Sequence, residues 1–176
     1  ATLACAHIIY SEMNYKSDYI EFNIKSGDVL SVNRKHNLLI MNFPAYEPNI
    51  VDQSLDELYN AFGTLPISFF FCKYGLAVFN NEEDIIKMEP KLNVIEKLSY
   101  DGVIVTAPGK NVDFVSRFFA PKLGIPEDPV TGGAHCVLIP YWSKRLNKKN
   151  MVAKQLSKRG GLIHCSYLGD RVTMGG

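Results

Sequence analysis

The feature that most constrains the fold is residues 126–146, where an acidic, glycine-rich turn leads directly into a long apolar run. The turn is Glu127-Asp128-Pro129-Val130-Thr131-Gly132-Gly133, and the apolar run follows from Ala134. Because apolar residues occupy nearly every position of the run rather than one stripe, the pattern predicts a helix buried on all sides. The rest of the chain must then supply enough apolar surface to cover that helix.

The glycine turn predicts a binding site at the start of this helix. Gly132 and Gly133 let the backbone turn sharply and let a ligand approach closely. Free backbone N–H groups near Gly133 and Ala134 would attract a carboxylate or phosphate. Asp128, enclosed beside such a site, could take up and release protons. The spacing supports equally well a structural interpretation, in which Asp128 or Thr131 caps the helix.

Three neighbouring side chains are weaker candidates. Glu127 could share the site, but an exposed ion pair with Arg117 or Lys122 is the favoured interpretation. His135 falls in the first turn of the helix, where a core histidine and a functional histidine are equally supported. Cys136 follows it directly, and adjacent helical side chains point about 100° apart. This geometry disfavours a nucleophile–base pair of Cys136 and His135.

Short strand patterns grouped in hairpins make up most of the remaining chain. Strands are predicted at residues 19–25, 29–34, 38–43, 67–72, 76–79, 103–105, 112–118, 152–157, 162–167 and 171–174, with a turn at residues 26–28. Further helices are predicted at residues 54–62, which open with a Ser54–Glu57 capping box, and at 82–88 and 93–98. A buried helix is predicted at residues 1–13, with Leu3, His7 and Tyr10 on one face. Hairpins around one long apolar helix indicate an α+β fold with a curled sheet.

Composition excludes several classes of function. The 176 residues, 47% of them hydrophobic, suffice for one domain or for one lobe and part of another. A formal net charge of +1 favours neither nucleic acid nor an anionic membrane as a partner. No apolar run is long enough to predict a membrane span. The four cysteines lie in apolar surroundings without a CxxC pair, which predicts buried free thiols, no metal site and a cytoplasmic location.

Several motifs in order resemble the phenazine-biosynthesis isomerase family (PhzF-like). The run Glu-Asp-Pro-Val-Thr-Gly-Gly-Ala-His-Cys at residues 127–136, with Pro140-Tyr141-Trp142 after it, resembles the family signature. Residues 117–121, 155–161 and 169–172 match further blocks of the family in the same order. Ala1-Thr2-Leu3-Ala4 resembles the end of the block that opens the central helix of the family's first lobe. We therefore expect a chain that starts inside that lobe and leaves Leu3, Ile8 and Ile9 open to water, so that it self-associates.

The resemblance implies a two-lobed, diaminopimelate-epimerase-like fold with a ligand cleft between the lobes. Each lobe is then a curled, mostly antiparallel sheet around a central helix, with residues 1–45 as the remainder of the first lobe and 46–176 as the second. The proline-containing segment 44–52 would link them. The implied activity is isomerisation or epimerisation by proton transfer at carbon, on a small carboxylate-bearing molecule, without metal or organic cofactor.

The resemblance also implies roles for individual residues. Asp128 would contact the ligand and relay a proton, whereas Gly132 and Gly133 would donate backbone N–H groups to a substrate carboxylate, with Thr131 and Ala134 in the same binding loop. The family's first-lobe glutamate has no counterpart in this chain, and the family usually has serine at the position of Gly133. A catalytically inactive binding protein of the same fold is therefore the alternative. A homodimer is compatible with either function.

Overall fold

The computed structural model describes residues 2–25, 27–35 and 38–176, which form helices and strands in the predicted order. The first part of the chain contains α1 (Thr2–Ser11), β1 (Tyr19–Asn23), β2 (Val29–Lys35) and β3 (Leu38–Pro44). The middle contains β4 (Asn49–Ile50), α2 (Leu55–Phe62), β5 (Ser68–Phe71), β6 (Gly75–Val78), α3 (Glu82–Lys87) and α4 (Leu92–Ile95). The last part contains β7 (Val103–Pro108), β8 (Phe114–Phe119), a 3₁₀ turn (Pro121–Leu123), α5 (Gly132–Leu146), β9 (Asn150–Gln155), β10 (Gly161–Tyr167) and β11 (Arg171–Gly175).

The predicted helices and strands are present, with ends shifted by a few residues. The short strand β4 was not predicted, because it lies in the proline-containing segment that the sequence assigned to a linker. The predicted turn covers residues 26–28, of which Ser26 lies outside the described residues. Gly27 in this turn has a positive φ of 88°.

The strands form one sheet of eleven strands in the order β1-β2-β3-β11-β10-β9-β8-β7-β6-β5-β4. Among the described residues, the pairings are antiparallel except β6 with β7 and β8 with β9, which are parallel. The α+β class with a mostly antiparallel sheet is therefore confirmed.

The sheet curls around α5, which is buried as predicted. Apolar side chains from β6 through β11 surround the helix, together with partly buried side chains from β3 and β5. Trp142 stacks on Phe114 of β8 with ring centroids 5.6 Å apart. Its Nε1–H donates to the Thr106 hydroxyl oxygen at 2.9 Å, so this buried indole keeps a polar partner.

A second hydrophobic core lies on the other face of the sheet, beneath α2, α3 and α4. The fully buried Leu58 and Ile85 belong to it, with Val105 of β7 and Val115 of β8. The predicted cap of α2 is present, since the Ser54 hydroxyl accepts the Glu57 backbone N–H at 3.4 Å. The Glu57 carboxylate accepts a hydrogen bond from the side chain of Gln53, rather than from the Ser54 backbone N–H as in a complete capping box. The sheet strands β6, β7 and β8 are therefore covered on both faces.

A helix is present at the start of the chain, as predicted, but the prediction that this helix is buried is wrong. Ala6 and Tyr10 of α1 pack against the sheet, but Leu3 is 38% exposed and Ile8 is 53% exposed. His7 is exposed as well. The reason is that, among the described residues, strands β1, β2 and β3 cover one side of α1. The expected exposure of Leu3 and Ile8 is thus present, whereas the expected exposure of Ile9 is wrong, because Ile9 is half-buried and packs against this core.

Strand β3 joins the first part of the chain to the last part. It pairs antiparallel with β2 on one side and with β11 on the other. Arg171 of β11 reinforces this junction, since its Nε–H donates to Asn42 Oδ1 at 2.7 Å and its Nη2–H to the Val29 carbonyl at 2.9 Å. The division into lobes at residues 45 and 46 remains a prediction.

Replacing a core residue of α5 should strongly destabilise the protein. Leu138→Ala removes a fully buried side chain, and we expect a loss of about 2–5 kcal/mol in the free energy of unfolding. Leu55→Ala, at a position that is 62% exposed, is the matched control and should change it by less than about 0.5 kcal/mol. Urea unfolding followed by circular dichroism measures both, and equal effects would contradict the central role of α5.

Candidate functional site

The first turns of α1 and α5 meet at one cavity. This cavity has a volume of about 750 Å³ and is lined by Thr2, Leu3, Ala4, Met41, Phe43, Val130, Gly132, Gly133, His135, Arg159, Gly160, Gly161, Leu162, Ile163, Met174, Gly175 and Gly176. The lining therefore combines apolar walls with the N-terminal ends of two helices, where backbone N–H groups lack helical partners. We call it the helix-end cavity.

Helix α5 begins at the predicted glycines, and its first turn has no side-chain cap. Thr131 occupies the N-cap position, but its side chain makes no hydrogen bond to the helix. The Thr131 hydroxyl donates instead to the Asp128 carboxylate. No α5 backbone N–H donates to either side chain within the described part of the chain. The capping interpretation is therefore wrong, and the N–H groups of the first turn stay available.

Gln155, at the end of β9, holds the acidic loop in place. Its side chain is fully buried and makes three hydrogen bonds to the loop. The amide nitrogen Nε2 donates to the Asp128 carbonyl at 2.7 Å and to the Thr131 hydroxyl oxygen at 3.2 Å. The amide oxygen Oε1 accepts the Thr131 backbone N–H at 2.9 Å. Apart from the position of Gln155 in a motif block, no feature of the sequence predicts this role.

The turn between β9 and β10 supports the same loop from a second point. Ser157 Oγ–H donates to the Pro129 carbonyl at 2.7 Å, and the same oxygen accepts the Gly160 N–H at 3.0 Å. Gly161 lets Val130 approach, since a Cβ at position 161 would lie 2.5 Å from a Val130 methyl carbon. Arg159, Gly160 and Gly161, at the end of this turn, form part of the cavity wall.

Glu127 has a structural role, in line with the favoured interpretation. Its carboxylate accepts two hydrogen bonds from Arg117, from Nε at 2.8 Å and from Nη2 at 3.0 Å. Arg117 also donates to the Met88 carbonyl at 2.8 Å. The prediction that this ion pair is exposed is wrong, because only 24% of the Glu127 side chain and 14% of the Arg117 side chain are accessible to solvent. The other predicted partner, Lys122, donates to the Leu98 carbonyl instead.

His135 is a buried histidine of the helix core that also borders the helix-end cavity. Its Nδ1–H donates to the Thr131 carbonyl at 2.8 Å, and its Nε2 has no hydrogen-bond partner. Burial lowers the pKa of His135, and the bond to Thr131 only partly opposes this effect. The ring is therefore neutral at neutral pH.

The cysteines do not form a reactive site. Burial raises the pKa of Cys136 to about 12, and burial raises the pKa of Cys165 to about 12 as well. Cys136 donates weakly to the Gly132 carbonyl rather than to a histidine, which agrees with the rejection of a Cys/His pair. All four cysteines are free, but Cys5 is exposed and Cys72 half-buried, so the prediction of burial is correct for only two.

The predicted site residues divide into two groups. Gly132, Gly133 and His135 line the helix-end cavity, whereas Asp128 does not. Thr131 and Ala134 are not among the lining residues either, and Asp128 accepts a hydrogen bond from the hydroxyl of Thr131, the residue before Gly132. Arg159 is exposed and lines the cavity as a cation, which the motif match at residues 155–161 did not indicate. Within the described ranges, no three His, Cys, Asp or Glu side chains are grouped to hold a metal ion.

The curled sheet around a central helix is an epimerase-like fold. The chain aligns with the structure of a predicted epimerase from Pseudomonas aeruginosa with a TM-score of 0.67 at 14% identity, over 98% of this chain and 68% of that one. At this identity the likeness concerns the fold alone. No helix among the described residues has the length and apolarity needed to cross a membrane.

Sequence similarity then assigns the family. The sequence profile described as "Phenazine biosynthesis-like protein" matches residues 1–174. An uncharacterized isomerase of Pseudomonas aeruginosa is 43% identical over all of this chain and 67% of its own length. A phenazine biosynthesis-like domain-containing protein of Rattus norvegicus is 32% identical over all of this chain and 68% of its own length. The chain belongs to the phenazine biosynthesis-like (PhzF) family.

Solved structures agree with this assignment. A PhzF-family protein of Enterococcus faecalis aligns with a TM-score of 0.94 at 40% identity, over 100% of this chain and 67% of that one. The chain thus spans about two thirds of the length of these relatives. The resemblance and the fold class predicted from the sequence are confirmed.

Removing the Gln155 amide should release the acidic loop. Gln155→Leu leaves the Thr131 N–H and the Asp128 carbonyl without their partner, at an expected cost of about 1–3 kcal/mol for each buried group. Lys154→Leu, on the exposed side of the same strand, is the control. Hydrogen exchange at the Thr131 amide, followed by NMR, should accelerate only in Gln155→Leu. Unchanged protection of the Thr131 amide would contradict the role of Gln155 in holding the acidic loop.

Burial of His135 should make the protein less stable in mild acid. With the folded-state pKa lowered from 6.5, the unfolded chain takes up a proton first as the pH falls. Stability is therefore unaffected by His135 above about pH 6.5 and decreases below it, by up to about 1.4 kcal/mol per pH unit until the folded-state pKa is reached. Urea unfolding between pH 7.5 and 5 measures this slope, and His135→Gln should reduce it. An equal slope in both proteins would contradict the assignment.

Proposed function

We propose that the protein is an isomerase or epimerase that moves a proton at a carbon atom of a small carboxylate-bearing molecule. The observation that carries the proposal is the helix-end cavity, where the uncapped first turn of α5 opens onto a space of about 750 Å³. Membership of a family whose relatives include proteins named as isomerases supports the class of reaction. The proposal includes no metal and no organic cofactor.

The backbone of the α5 first turn would bind the substrate carboxylate. The His135 N–H already donates to the Thr131 carbonyl, which leaves the N–H groups of Gly132, Gly133 and Ala134 as the free donors. These groups and the helix dipole favour an anion. Arg159 adds an exposed positive charge at the same cavity and would assist in attracting the substrate.

Asp128 would relay the proton. The Gln155 and Ser157 contacts fix the loop at Asp128 and directly after it, so that its carboxylate keeps a constant position relative to the first turn of α5. Proton transfer at carbon needs one group that removes the proton and one that returns it. Asp128 supplies one such group, and by resemblance the second would be a first-lobe glutamate that residues 1–176 do not include.

A binding protein without turnover is the second candidate. Gly133 supports it, because a glycine there provides an N–H but no hydroxyl. A binding protein would use the same cavity and the same carboxylate contacts. Proton exchange at carbon separates the two functions, since only the isomerase catalyses it.

The cellular setting is part of the proposal as well. The free cysteines, two of them buried, suit a reducing compartment such as the cytoplasm. A small molecule is the proposed partner, and a homodimer is compatible with the fold. Neither nucleic acid nor a membrane is a proposed partner, given the net charge of +1.

Asp128→Asn should abolish proton exchange while leaving the fold intact. We expect at least a hundredfold loss in deuterium incorporation from ²H₂O into a panel of small carboxylic acids, since the amide cannot accept and return a proton. Its melting temperature should stay within a few degrees of the full-length wild type. Asp56→Asn, on the exposed face of α2, is the matched control. Exchange at the wild-type rate in Asp128→Asn would disprove the relay, and no exchange in the wild type would favour the binding protein.

A further inference from the structure

We propose that a second cavity, beside the turn between β9 and β10, binds a small molecule that carries a phosphate group. This cavity has a volume of about 530 Å³ and lies between the C-terminal end of α3 and that turn. We call it the basic cavity, because Arg117, Lys154, Lys158 and Arg159 are among the residues of its wall. The proposal goes beyond the carboxylate site of the proposed function and does not rest on it.

The wall of the basic cavity carries a surplus of positive charge. Lys154, Lys158 and Arg159 are exposed, and within the part of the chain that the structure describes none of these three side chains forms an ion pair. Their three charges exceed the net charge of the whole chain, which is +1. Positive charge is therefore concentrated at this cavity, and charges of one sign lining a concave surface attract a ligand of the opposite sign.

Arg117 adds a hydrogen-bond donor that is already fixed in place. Its Nε–H and one Nη2–H donate to Glu127, and its Nη1 group donates to the carbonyls of Ile85 at 3.2 Å and Met88 at 2.8 Å. Among the described residues, the second Nη2–H has no partner. Glu127 belongs to the same wall, but its charge is neutralised by Arg117 and leaves the other three cations without a counter-ion.

The chemistry and size of the cavity favour a small phosphate-bearing molecule. Lysine and arginine both bind phosphate, and a group with close to two negative charges balances more of the surplus than a carboxylate does. Cavities of about 300–1,000 Å³ are typical of small-molecule sites. Met88 and Leu156 make part of the wall apolar, which suits the organic part of a phosphate ester.

Two lysines distinguish the basic cavity from the helix-end cavity. Arg159 and Gly160 line both cavities, whereas Lys154 and Lys158 line the basic cavity and not the helix-end cavity. A change at Arg159 would therefore affect both sites. The two lysines are the residues whose replacement tests the basic cavity by itself.

The experiment uses pyrophosphate as the probe, titrated into the full-length protein in a phosphate-free buffer of physiological ionic strength. Isothermal titration calorimetry gives the dissociation constant, and ¹H–¹⁵N NMR locates the binding from the shifts of backbone amides. The wild type is compared with the double variant Lys154→Gln/Lys158→Gln. The control is Lys91→Gln/Lys97→Gln, which removes two exposed positive charges away from this cavity. Acetate and a short DNA duplex are titrated into the wild type as alternative ligands.

We expect pyrophosphate to shift the amides of Lys158 and Met88, which lie in the basic cavity and not in the helix-end cavity. The Lys154→Gln/Lys158→Gln variant should bind at least about tenfold more weakly, because two charge-assisted contacts are lost. The control variant should keep the wild-type affinity. Acetate should bind at least about tenfold more weakly than pyrophosphate, and the DNA duplex should leave these amides unshifted.

The opposite results overturn the inference in distinguishable ways. Unshifted amides at Lys158 and Met88, or equal affinity of the wild type and the Lys154→Gln/Lys158→Gln variant, would show that the basic cavity is not a phosphate site. Shifts confined to Gly133 and Ala134 would place pyrophosphate at the helix-end cavity, and the proposed function would stand. Acetate binding as tight as that of pyrophosphate would contradict the choice of phosphate. A DNA duplex that shifts these amides would assign the surface to nucleic acid instead.

Discussion

The burial of α5 is the interaction on which the rest of the structure depends. From Ala134 to Ser143 its side chains are buried except for the half-buried Tyr141, so a flat sheet covering one side would leave much of the helix in water. Side chains from β6 through β11 surround it instead, which requires the sheet to curl. Residues in the second half of α5, among them Tyr141 and Lys144, line a separate cavity. The backbone N–H groups without helical partners are at the N-terminal end, and the candidate site lies there.

A loop at the end of a buried helix still needs polar anchors to keep one conformation. Gln155 supplies them from inside the core, with both ends of its amide engaged. A buried amide is favourable only when its hydrogen bonds are made, so Gln155 and the loop depend on each other. In the described part of the chain, Ser116 Oγ and His135 Nε2 are the buried side-chain atoms without a partner. Ser116 belongs to β8 and His135 to α5, and both elements pack beside Gln155 and the loop.

Most of the architecture could be predicted from the sequence, because periodicity and turn residues are local signals. The long apolar run gave α5, and alternating patterns such as Ile20 and Phe22 gave the strands. Burial of α1 could not be predicted in this way, since it depends on how many strands cover the helix. The role of Gln155 was also out of reach, because it acts on a loop far away in the chain. Only the glycine turn and its two acids were visible as a site.

The two adjacent acids of the motif have different roles for an electrostatic reason. In the irregular loop before α5, the two adjacent side chains have different partners. Glu127 contacts Arg117, where a bidentate ion pair neutralises it, whereas Asp128 contacts Thr131 at the start of α5. A second unpaired carboxylate there would repel the anion that the helix end attracts. By engaging one acid in an ion pair, the protein can keep a single carboxylate close to the helix end without cancelling its attraction for an anionic ligand.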